Sequence, residues 1–409
     1  MSSSLQTRKK VKLFWNVQFI YELVLARKEL ESFNVEYKIK NDLKDIKIIN
    51  IPNLQEFIKR TAYFEEIDGF PSIYSKITKA NVTRSINQYL THWIYPYKGK
   101  FHPQLIRALI NIMGMKKGDT ILDPFIGSGT TALESQLLGI NCVGFDISEV
   151  CVRITRVKTQ AVLRYTEISN EFEKIKDKLT DISNQKNIEI EINRIDELIE
   201  KIEDENTKNF LIVAELIAHS DKARRKKKNF TESFIKNAEK MLQSLKDYNQ
   251  IVNENKIKLG DIEISSGDAR NLNLKLNSVD GIICSPPYSI ALNYVENDKH
   301  ALEALGYNTD LIKEDFIGVR GSGKAKIELY NEDLIKSYSE MDRVLKPGKY
   351  CSIIIGNAKI DKKEIDTVET TINYFSKKGY LLESNIDKII FGLYNVMQKE
   401  NILIFKKPM

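Results

Sequence analysis

A short apolar run followed at once by a glycine turn and a helix is the feature that most limits what this chain can fold into. Residues 120–122 lead into Asp123, and Gly127 and Gly129 follow one residue apart. The segment after them, TTALESQLLG, carries leucines at helical spacing. Glycines at such a turn remove the side chains that would hold a ligand away from the main chain. The order strand, glycine turn and helix therefore predicts a doubly wound α/β sheet with a cofactor loop.

A second predicted strand, NCVGFD, ends on Asp146, 23 residues after Asp123, close to the spacing of about 20 residues at which such sheets carry an acidic residue. A carboxylate at this point of such a sheet accepts hydrogen bonds from ribose hydroxyls. The turn lacks the third glycine of nicotinamide and flavin signatures, and no P-loop lysine follows it, so nucleotide hydrolysis has little support. The loop alone does not choose the cofactor; the carboxylate is placed as in sheets that bind adenosine groups, and an ordinary turn without a ligand is the alternative.

The tetrapeptide SPPY, residues 285–288, follows the apolar run VDGIIC. That run is typical of a buried parallel strand, so SPPY stands at the sheet edge where ligands bind. Two consecutive prolines stiffen the backbone and leave carbonyl groups as acceptors. The Ser285 hydroxyl and the Pro286 carbonyl suit an amino group with two hydrogens to donate, and Tyr288 offers a flat face for an extruded base. The alternative is a plain Pro-Pro turn without a ligand. The glycine loop upstream on the same predicted sheet makes this alternative the weaker one.

Together, DPFIGSGTT and SPPY resemble the amino group DNA methyltransferases, which transfer a methyl group from S-adenosylmethionine to an exocyclic nitrogen of cytosine or adenine. The resemblance extends to YPYKGKFHPQLIRALI, SGDAR and RVLKPGKYCSIIIGN. It implies a Rossmann-like methyltransferase sheet, the cofactor S-adenosyl-L-methionine, and direct displacement by the amine of a flipped base without a strong general base. It also implies that Asp268 holds the adenine amine of the cofactor. The catalytic residues expected are Ser285, Pro286, Pro287 and Tyr288; the cofactor-binding residues expected are Phe101, His102, Asp123, Pro124, Phe125, Gly127, Ser128, Gly129, Thr130, Asp146, Ile147, Asp268 and Ala269.

The first residue of the tetrapeptide bears on which amine is methylated. In the family that this chain resembles, serine more often accompanies N4 methylation of cytosine, and Asp or Asn usually accompanies N6 methylation of adenine. Ser285 therefore favours cytosine, but adenine stays open because all three side chains accept a hydrogen bond from an amine. An RNA guanosine amine methyltransferase and a catalytically inactive DNA-binding subunit are the further alternatives.

Cysteine and histidine usage argues against other chemistries. A covalent cytosine carbon-5 mechanism uses a cysteine that follows a proline, and none of Cys142, Cys151, Cys284 and Cys351 does. Three of them lie in predicted apolar strands, where cysteine packs as a core residue. The histidines are scattered and CxxC is absent, so we expect no metal site. No signal segment and no apolar run of about 18 residues occurs, so we expect a soluble, cytoplasmic protein.

The predicted catalytic domain, residues 88–150 and 260–409, is interrupted by an insert, residues 151–259. The insert has polar helical patterns, and within it the run KARRKKK, residues 222–228, holds six basic residues in seven. With a net charge of +6, this run suits phosphate contact, although a solvated helix end is the commoner origin of such runs. We predict that the insert recognises double-stranded DNA. A cognate restriction endonuclease or a defence assembly is a further candidate partner, and the oligomeric state stays open. In the insert, the residues expected to be buried at helical spacing are Phe230, Phe234, Ala238, Met241, Leu245 and Tyr248.

A second candidate for target recognition is the stretch after SPPY, where FIGVRGSGKAK interleaves glycines with basic residues. An ordinary surface loop is the alternative. The N-terminal extension, residues 1–87, begins with a basic segment, RKKVK, that resembles a flexible arm; the extension closes over DNA, mediates dimerisation or braces the catalytic domain. Trp15 and Trp93 are expected to pack. Residues expected to contact the DNA substrate are Asn293, Tyr294, Arg320, Lys324, Arg224, Arg225, Lys226, Lys227 and Lys228.

Overall fold

The computed structural model describes residues 10–40, 42–81, 83, 85–179, 187–225, 229–287, 294–321, 323–360, 363–391 and 397–409. The strands are β1 (Val11–Leu13), β2 (Glu36–Ile39), β3 (Ile46–Asn50), β4 (Phe64–Ile67), β5 (Phe70–Pro71), β6 (Thr120–Asp123), β7 (Asn141–Asp146), β8 (Ile262–Ser266), β9 (Val279–Cys284), β10 (Leu345–Ile355), β11 (Ala358–Ile360), β12 (Lys363–Ile365), β13 (Leu381–Phe391) and β14 (Met397–Lys406). The α-helices are α1 (Ile20–Ser32), α2 (Leu54–Arg60), α3 (Ile73–Lys79), α4 (Pro103–Ile112), α5 (Thr130–Leu137), α6 (Glu149–Gln160), α7 (Tyr165–Leu179), α8 (Ile188–Glu200), α9 (Glu205–Arg225), α10 (Phe230–Glu254), α11 (Tyr294–Asn297), α12 (Lys299–Ala304), α13 (Thr309–Ile312), α14 (Gly323–Val344) and α15 (Thr367–Lys377).

The central sheet has seven strands in the order β13-β14-β10-β9-β6-β7-β8. Neighbours from β10 to β8 run parallel, and β14 runs antiparallel to both β10 and β13. From β6 the chain adds β7 and β8 on one side, and then β9 and β10 on the other. The direction of winding therefore reverses between β6 and β9, and ligands bind beside such a reversal at the carboxyl ends of the strands. The predicted doubly wound α/β fold is confirmed.

Both faces of this sheet are buried. In β9, Ile283 packs into the core that contains α4 and α5, whereas Ile282 and Cys284 pack into the core that contains α14. This alternation follows from the two-residue period of a strand. It explains why VDGIIC is apolar throughout instead of alternating with polar residues. The four cysteines are buried free thiols, as expected for core residues.

Helices α7 to α10 follow α6 along the chain and pack on one another, α9 also packs on α6, and α10 contacts α5. The Tyr248 hydroxyl of α10 donates to the side-chain oxygen of Gln136 in α5 at 2.8 Å, and the Trp93 indole donates to the Ser244 hydroxyl at 2.7 Å. The helical periodicity predicted for α10 is confirmed, because all six of its expected apolar positions are buried. The exact limits of the insert remain a prediction.

The N-terminal segment is joined to α4 by buried polar contacts. The Glu29 carboxylate accepts a hydrogen bond from the Asn111 side chain at 2.7 Å. The Arg60 guanidinium donates to the Met115 carbonyl at 2.8 Å. Buried polar groups are costly to leave unpaired, so these contacts hold the segment against the catalytic sheet.

Two expectations for this segment are wrong. Residues 11–13 form β1 and pair with β4, so this part of RKKVK is not a flexible arm; residues 8 and 9 lie outside the described residues. Trp15 does not pack in the core, since it is 70% exposed. Among the described residues, no helix combines the length and the apolar character needed to cross a membrane.

Candidate active site

The turn between β6 and α5 depends on its two glycines. Gly127 and Gly129 have φ angles of +50° and +77°, values that other residues adopt only with strain. A Cβ atom on Gly129 would lie 2.6 Å from Cγ2 of Thr155, and one on Gly127 would lie 3.3 Å from the Tyr97 ring. Side chains at these positions would therefore distort the turn: glycine at 129 lets the turn pack against Thr155 of α6, and glycine at 127 leaves room for the Tyr97 ring.

A cavity of about 980 Å³, part of it open to solvent, lies beside this turn. It is bounded by the segments that follow β6, β7, β8 and β9. The glycine loop and SPPY, far apart in sequence, therefore meet in one space at the carboxyl edge of the sheet. The predicted site residues that line it are Phe101, Pro124, Phe125, Gly127, Ser128, Thr130, Asp146, Ile147, Asp268, Ala269, Ser285 and Pro287.

Four other predicted residues lie beside the cavity instead of on its wall: His102, Asp123, Gly129 and Pro286. His102 precedes α4, and its Nδ1 lies 3.4 Å from the side-chain nitrogen of Asn87. Asp123 is buried below the loop, where its carboxylate accepts a hydrogen bond from the Phe125 amide at 3.1 Å. Burial raises the pKa of Asp123 to about 7. We infer that Asp123 does not contact a cofactor directly but holds the glycine loop in its conformation through this hydrogen bond.

Asp146 ends β7 and faces the cavity. The Gly127 amide donates to its Oδ2 at 2.9 Å and the Ser148 amide donates to its Oδ1 at 2.9 Å. A carboxylate has about four acceptor positions, so these two bonds orient the group and leave further lone pairs for a ligand. Burial raises the pKa of Asp146 to about 6.

We expect the affinity for S-adenosylhomocysteine to fall as pH decreases through about 6, because protonation of Asp146 removes acceptors for hydroxyl groups. At neutral pH, Asp146→Asn should weaken binding by about 1.5–3 kcal/mol, the contribution of hydrogen bonds to a charged group. Calorimetric titration from pH 5 to 8 measures both effects. The variant should lose the part of the pH dependence that belongs to Asp146, and Asp119→Asn, at the opposite edge of the sheet, should behave like the wild type. Equal affinity of the Asp146 variant and the wild type would remove this residue from the site.

The basic residues predicted to contact DNA have diverse surroundings. The Arg320 guanidinium donates to Oδ1 of Asp333 at 2.6 Å, so it is used within the protein. The Lys324 side chain is 91% exposed, with Nζ 3.8 Å from Glu328. Arg225 ends α9 and Tyr294 begins α11. The predicted residues Tyr288, Asn293, Lys226, Lys227 and Lys228 lie outside the described residues.

Arg224 joins the end of α9 to the rim of the cavity. Its guanidinium donates to the Pro96 carbonyl at 3.0 Å and to the Asn297 carbonyl at 2.6 Å. Pro96 and Asn297 immediately precede Tyr97 and Asp298, which line the cavity. The end of α9 therefore lies next to the cavity mouth, where the Arg224 guanidinium is occupied by these two carbonyl groups and lies 3.5 Å from Oδ1 of Asp298.

Several cavity residues were missed by sequence reasoning. Asp298 accepts a hydrogen bond from the Tyr95 hydroxyl at 2.8 Å, and burial raises its pKa. Phe316 and Ile317 contribute apolar wall. The apolar pair before the glycines of FIGVRGSGKAK was a usable signal for them, whereas no motif surrounds Asp298.

The donor set fits a nucleoside-containing cofactor. Apolar side chains of Phe125, Ile147 and Phe316 can flank an aromatic base, while the carboxylate of Asp146 can accept hydrogen bonds from hydroxyl groups. The carboxylate of Asp268 also lines the cavity, but both of its oxygens already accept hydrogen bonds from Arg270. The glycine turn lets the main chain approach the same molecule.

Two families match this sequence. The one described as RMKL-like, methyltransferase domain, matches residues 94–307. The one described as DNA methylase matches residues 8–157. The two matches together include the glycine loop, the insert and SPPY.

Curated relatives include type II methyltransferases and a tRNA methyltransferase. The chain is 31% identical over 148 residues to the type II methyltransferase M.MjaII of Methanocaldococcus jannaschii, covering 32% of this chain and 27% of that relative. It is 54% identical over 61 residues to the type II methyltransferase M.BsoBI of Geobacillus stearothermophilus, covering 15% and 12%. It is 44% identical over 64 residues to a tRNA (guanine(10)-N2)-dimethyltransferase of Methanothermobacter thermautotrophicus, covering 16% and 19%. The matches thus span about a quarter or less of the length of these relatives.

Solved structures resemble the chain weakly. A SAM-dependent methyltransferase from Methanosarcina mazei has a TM-score of 0.33 at 11% identity, covering 72% of this chain and 95% of that one. TrmN from Thermus thermophilus has a TM-score of 0.30 at 12% identity, covering 91% and 59%.

Proposed function

We propose that the chain, which belongs to the family of amino-group DNA methyltransferases that use S-adenosyl-L-methionine, methylates the exocyclic N4 amine of a flipped cytosine in duplex DNA. The observation that carries the proposal is the shared cavity of Gly127, Asp146, Ser285 and Pro287. A cofactor on the glycine loop and an amine at SPPY would lie in one space, as group transfer between them requires.

The chemistry of the clamp follows from its residues. When bound, S-adenosylmethionine supplies an electrophilic methyl group on a sulfonium. The Ser285 hydroxyl and the Pro286 carbonyl accept the two amine hydrogens and favour the pyramidal geometry in which the nitrogen lone pair is available. As positive charge develops on the amine, both acceptors stabilise it. Tyr288 stacks on the extruded base, and the proton, acidic once the methyl group has moved, passes to water without a strong general base.

The serine of SPPY favours cytosine over adenine, and N6 methylation of adenine is the alternative within the same mechanism. A cognate restriction endonuclease or a defence assembly belongs to the proposal as a partner, on the analogy of the type II methyltransferases among the relatives.

The position of the basic run supports a nucleic acid substrate. Arg224, which belongs to this run, lies at the cavity rim, and the phosphates that flank a flipped base would lie close to that rim. A second candidate, methylation of an RNA guanosine amine, is favoured by the similarity to the tRNA (guanine(10)-N2)-dimethyltransferase.

Methyl transfer from labelled S-adenosylmethionine to equal amounts of unmethylated genomic DNA and unmodified tRNA separates these candidates. We expect label in the duplex DNA and background counts in the tRNA. Label in tRNA alone would replace the DNA proposal with the RNA one. Cofactor binding without transfer to either acceptor would favour a catalytically inactive binding subunit.

Replacing residues 225–228 with glutamine should weaken DNA binding, because a phosphate that the protein no longer neutralises keeps its condensed counterions. The slope of log K against log salt should shrink by about 0.9 for each such phosphate, hence by about 2 or more for this run. Fluorescence anisotropy with a labelled duplex over a salt series measures it. Glutamine at Lys116 and Lys117, which precede β6 at the opposite edge of the sheet, is the matched control. An equal slope for the two variants would show that the basic run is a solvated surface.

A further inference from the structure

Tyr330 of α14 contacts Pro287, next to the Ser285 hydroxyl and the Pro286 carbonyl that form the proposed amine clamp. It is 1% exposed, and its hydroxyl donates a hydrogen bond to the Pro287 carbonyl at 3.0 Å. Pro286 and Pro287 have no backbone N–H groups, so the two prolines can be fixed by hydrogen bonds only through their carbonyls. A buried donor on a long helix therefore sets the orientation of the Pro287 peptide.

Asp333, one helical turn after Tyr330, extends this contact to the cofactor side of the cavity. It is 1% exposed, and its Oδ1 accepts hydrogen bonds from Arg270 at 3.1 Å and from Arg320 at 2.6 Å. The Arg270 guanidinium also donates to Oδ2 of Asp268 at 2.7 Å. Residues three apart lie on the same helix face, so one face of α14 holds SPPY through Tyr330 and the cavity carboxylate of Asp268 through Arg270.

The same network reaches the loop that carries the apolar cavity wall. Arg270 donates to the carbonyl of Asp315 at 2.9 Å, and Phe316 and Ile317 follow directly. The charges in this network are compensated, since two guanidinium groups face the two carboxylates of Asp268 and Asp333. Charge-compensated hydrogen-bond networks rigidify the groups they hold, and this one is centred on the buried carboxylate of Asp333.

We propose that Tyr330 is a positioning residue of the methyl transfer. By fixing the Pro287 peptide, it holds the adjacent Pro286 carbonyl and the Ser285 hydroxyl in the geometry that the amine requires, while Asp333 keeps the clamp in register with the cofactor side. This inference rests on the proposed function. Its physical basis is that a misplacement of about 1 Å at a reacting centre can cost about 10²-fold in rate.

Tyr330→Phe tests the proposal against a matched control on the same helix. Tyr338 is fully buried, and its hydroxyl bonds with the Thr371 hydroxyl at 2.9 Å, away from the cavity. We expect Tyr330→Phe to lower the single-turnover rate of methyl transfer about tenfold, the equivalent of one hydrogen bond of about 1.4 kcal/mol. The dissociation constant for S-adenosylhomocysteine should stay within about twofold of the wild type, since the network on the cofactor side remains. Tyr338→Phe should transfer at the wild-type rate even if both variants lose similar thermal stability.

Combination with Ser285→Ala distinguishes positioning from general destabilisation. If Tyr330 acts through the clamp, the rate losses of the two changes should be less than additive, because the second change acts on a clamp already impaired. Strict additivity, or equal rates for Tyr330→Phe and Tyr338→Phe, would overturn the proposal.

A measurement that needs no methyl-accepting nucleic acid separates the positioning role of Tyr330 from the proposed function. Amide hydrogen exchange at Ser285, the residue directly before the two prolines, should be faster in Tyr330→Phe than in Tyr338→Phe. Equal exchange in the two variants would overturn the positioning role. Absence of transfer to DNA by the wild type, with the exchange difference present, would overturn the DNA substrate alone.

Discussion

Replacing Ser285 with alanine should reduce the rate of methyl transfer roughly 10²-fold, the cost of removing one preorganised group at a centre of developing charge. Ser285 follows the last residue of β9 and lines the cavity shared with the glycine loop. Its hydroxyl would accept one of the amine hydrogens, so its loss leaves the Pro286 carbonyl as the remaining acceptor. Affinity for S-adenosylhomocysteine should be unchanged. Single-turnover transfer and calorimetric binding measure the two quantities separately.

Ser352→Ala is the matched control for this change. Ser352 is fully buried in the neighbouring strand β10, where it pairs with Ile283 of β9, and it does not line the cavity. The control should keep the wild-type transfer rate. A Ser285 variant that transfers as fast as the Ser352 variant would show that the clamp has been assigned wrongly.

Replacing Glu134 with glutamine should lower the free energy of unfolding by about 3–5 kcal/mol, the typical cost of breaking a buried ion pair by removal of one partner. Glu134 is fully buried in α5, directly after the glycine turn. Its carboxylate accepts from the Tyr89 hydroxyl at 2.5 Å and lies 2.9 Å from His92 Nε2 and 3.2 Å from Arg107 Nη1. Burial alone would raise the pKa of Glu134, but the His92 hydrogen bond and the Arg107 charge outweigh it and hold the pKa below its usual value. Neutralisation would leave the Arg107 charge buried without compensation.

Urea unfolding measures the free energy of unfolding of the Glu134 variant, and two further variants provide reference values for comparison. Tyr89→Phe removes one neutral donor of the same network and should cost about 1 kcal/mol. Glu200→Gln removes an exposed carboxylate paired with Lys208 and should change stability by less than about 0.5 kcal/mol. If Glu134→Gln unfolded like Glu200→Gln, the network would not be a stabilising element beneath the cofactor loop.

The parts of the fold that follow from local patterns were predictable. Asp123, Gly127 and Asp146 mark strand ends and a turn in the sequence, and the carboxyl ends of parallel strands share one edge of a sheet. The position of SPPY at the end of the neighbouring strand β9 follows from the same rule. Helix α10 was also predictable, because its apolar residues recur with helical spacing over several turns.

Features set by tertiary contacts were not predictable. Arg224 belongs to a basic run, yet carbonyl groups of Pro96 and Asn297 occupy its guanidinium, and composition does not distinguish such bonds from phosphate contacts. Trp15 carries a large apolar ring, which favours burial only where a core is within reach. Asp298 lines the cavity because its segment is held in place by α9, which is distant from Asp298 in the sequence.

The chemical identity of the methylated base distinguishes the proposed activity from its alternatives. Unmethylated genomic DNA should be incubated with the protein and labelled S-adenosylmethionine, digested to nucleosides and analysed by mass spectrometry. We expect the label in N4-methylcytosine. Label in N6-methyladenine would keep the mechanism and correct the base. If the protein binds the cofactor but no DNA nucleoside becomes labelled, the proposed DNA methylation is contradicted.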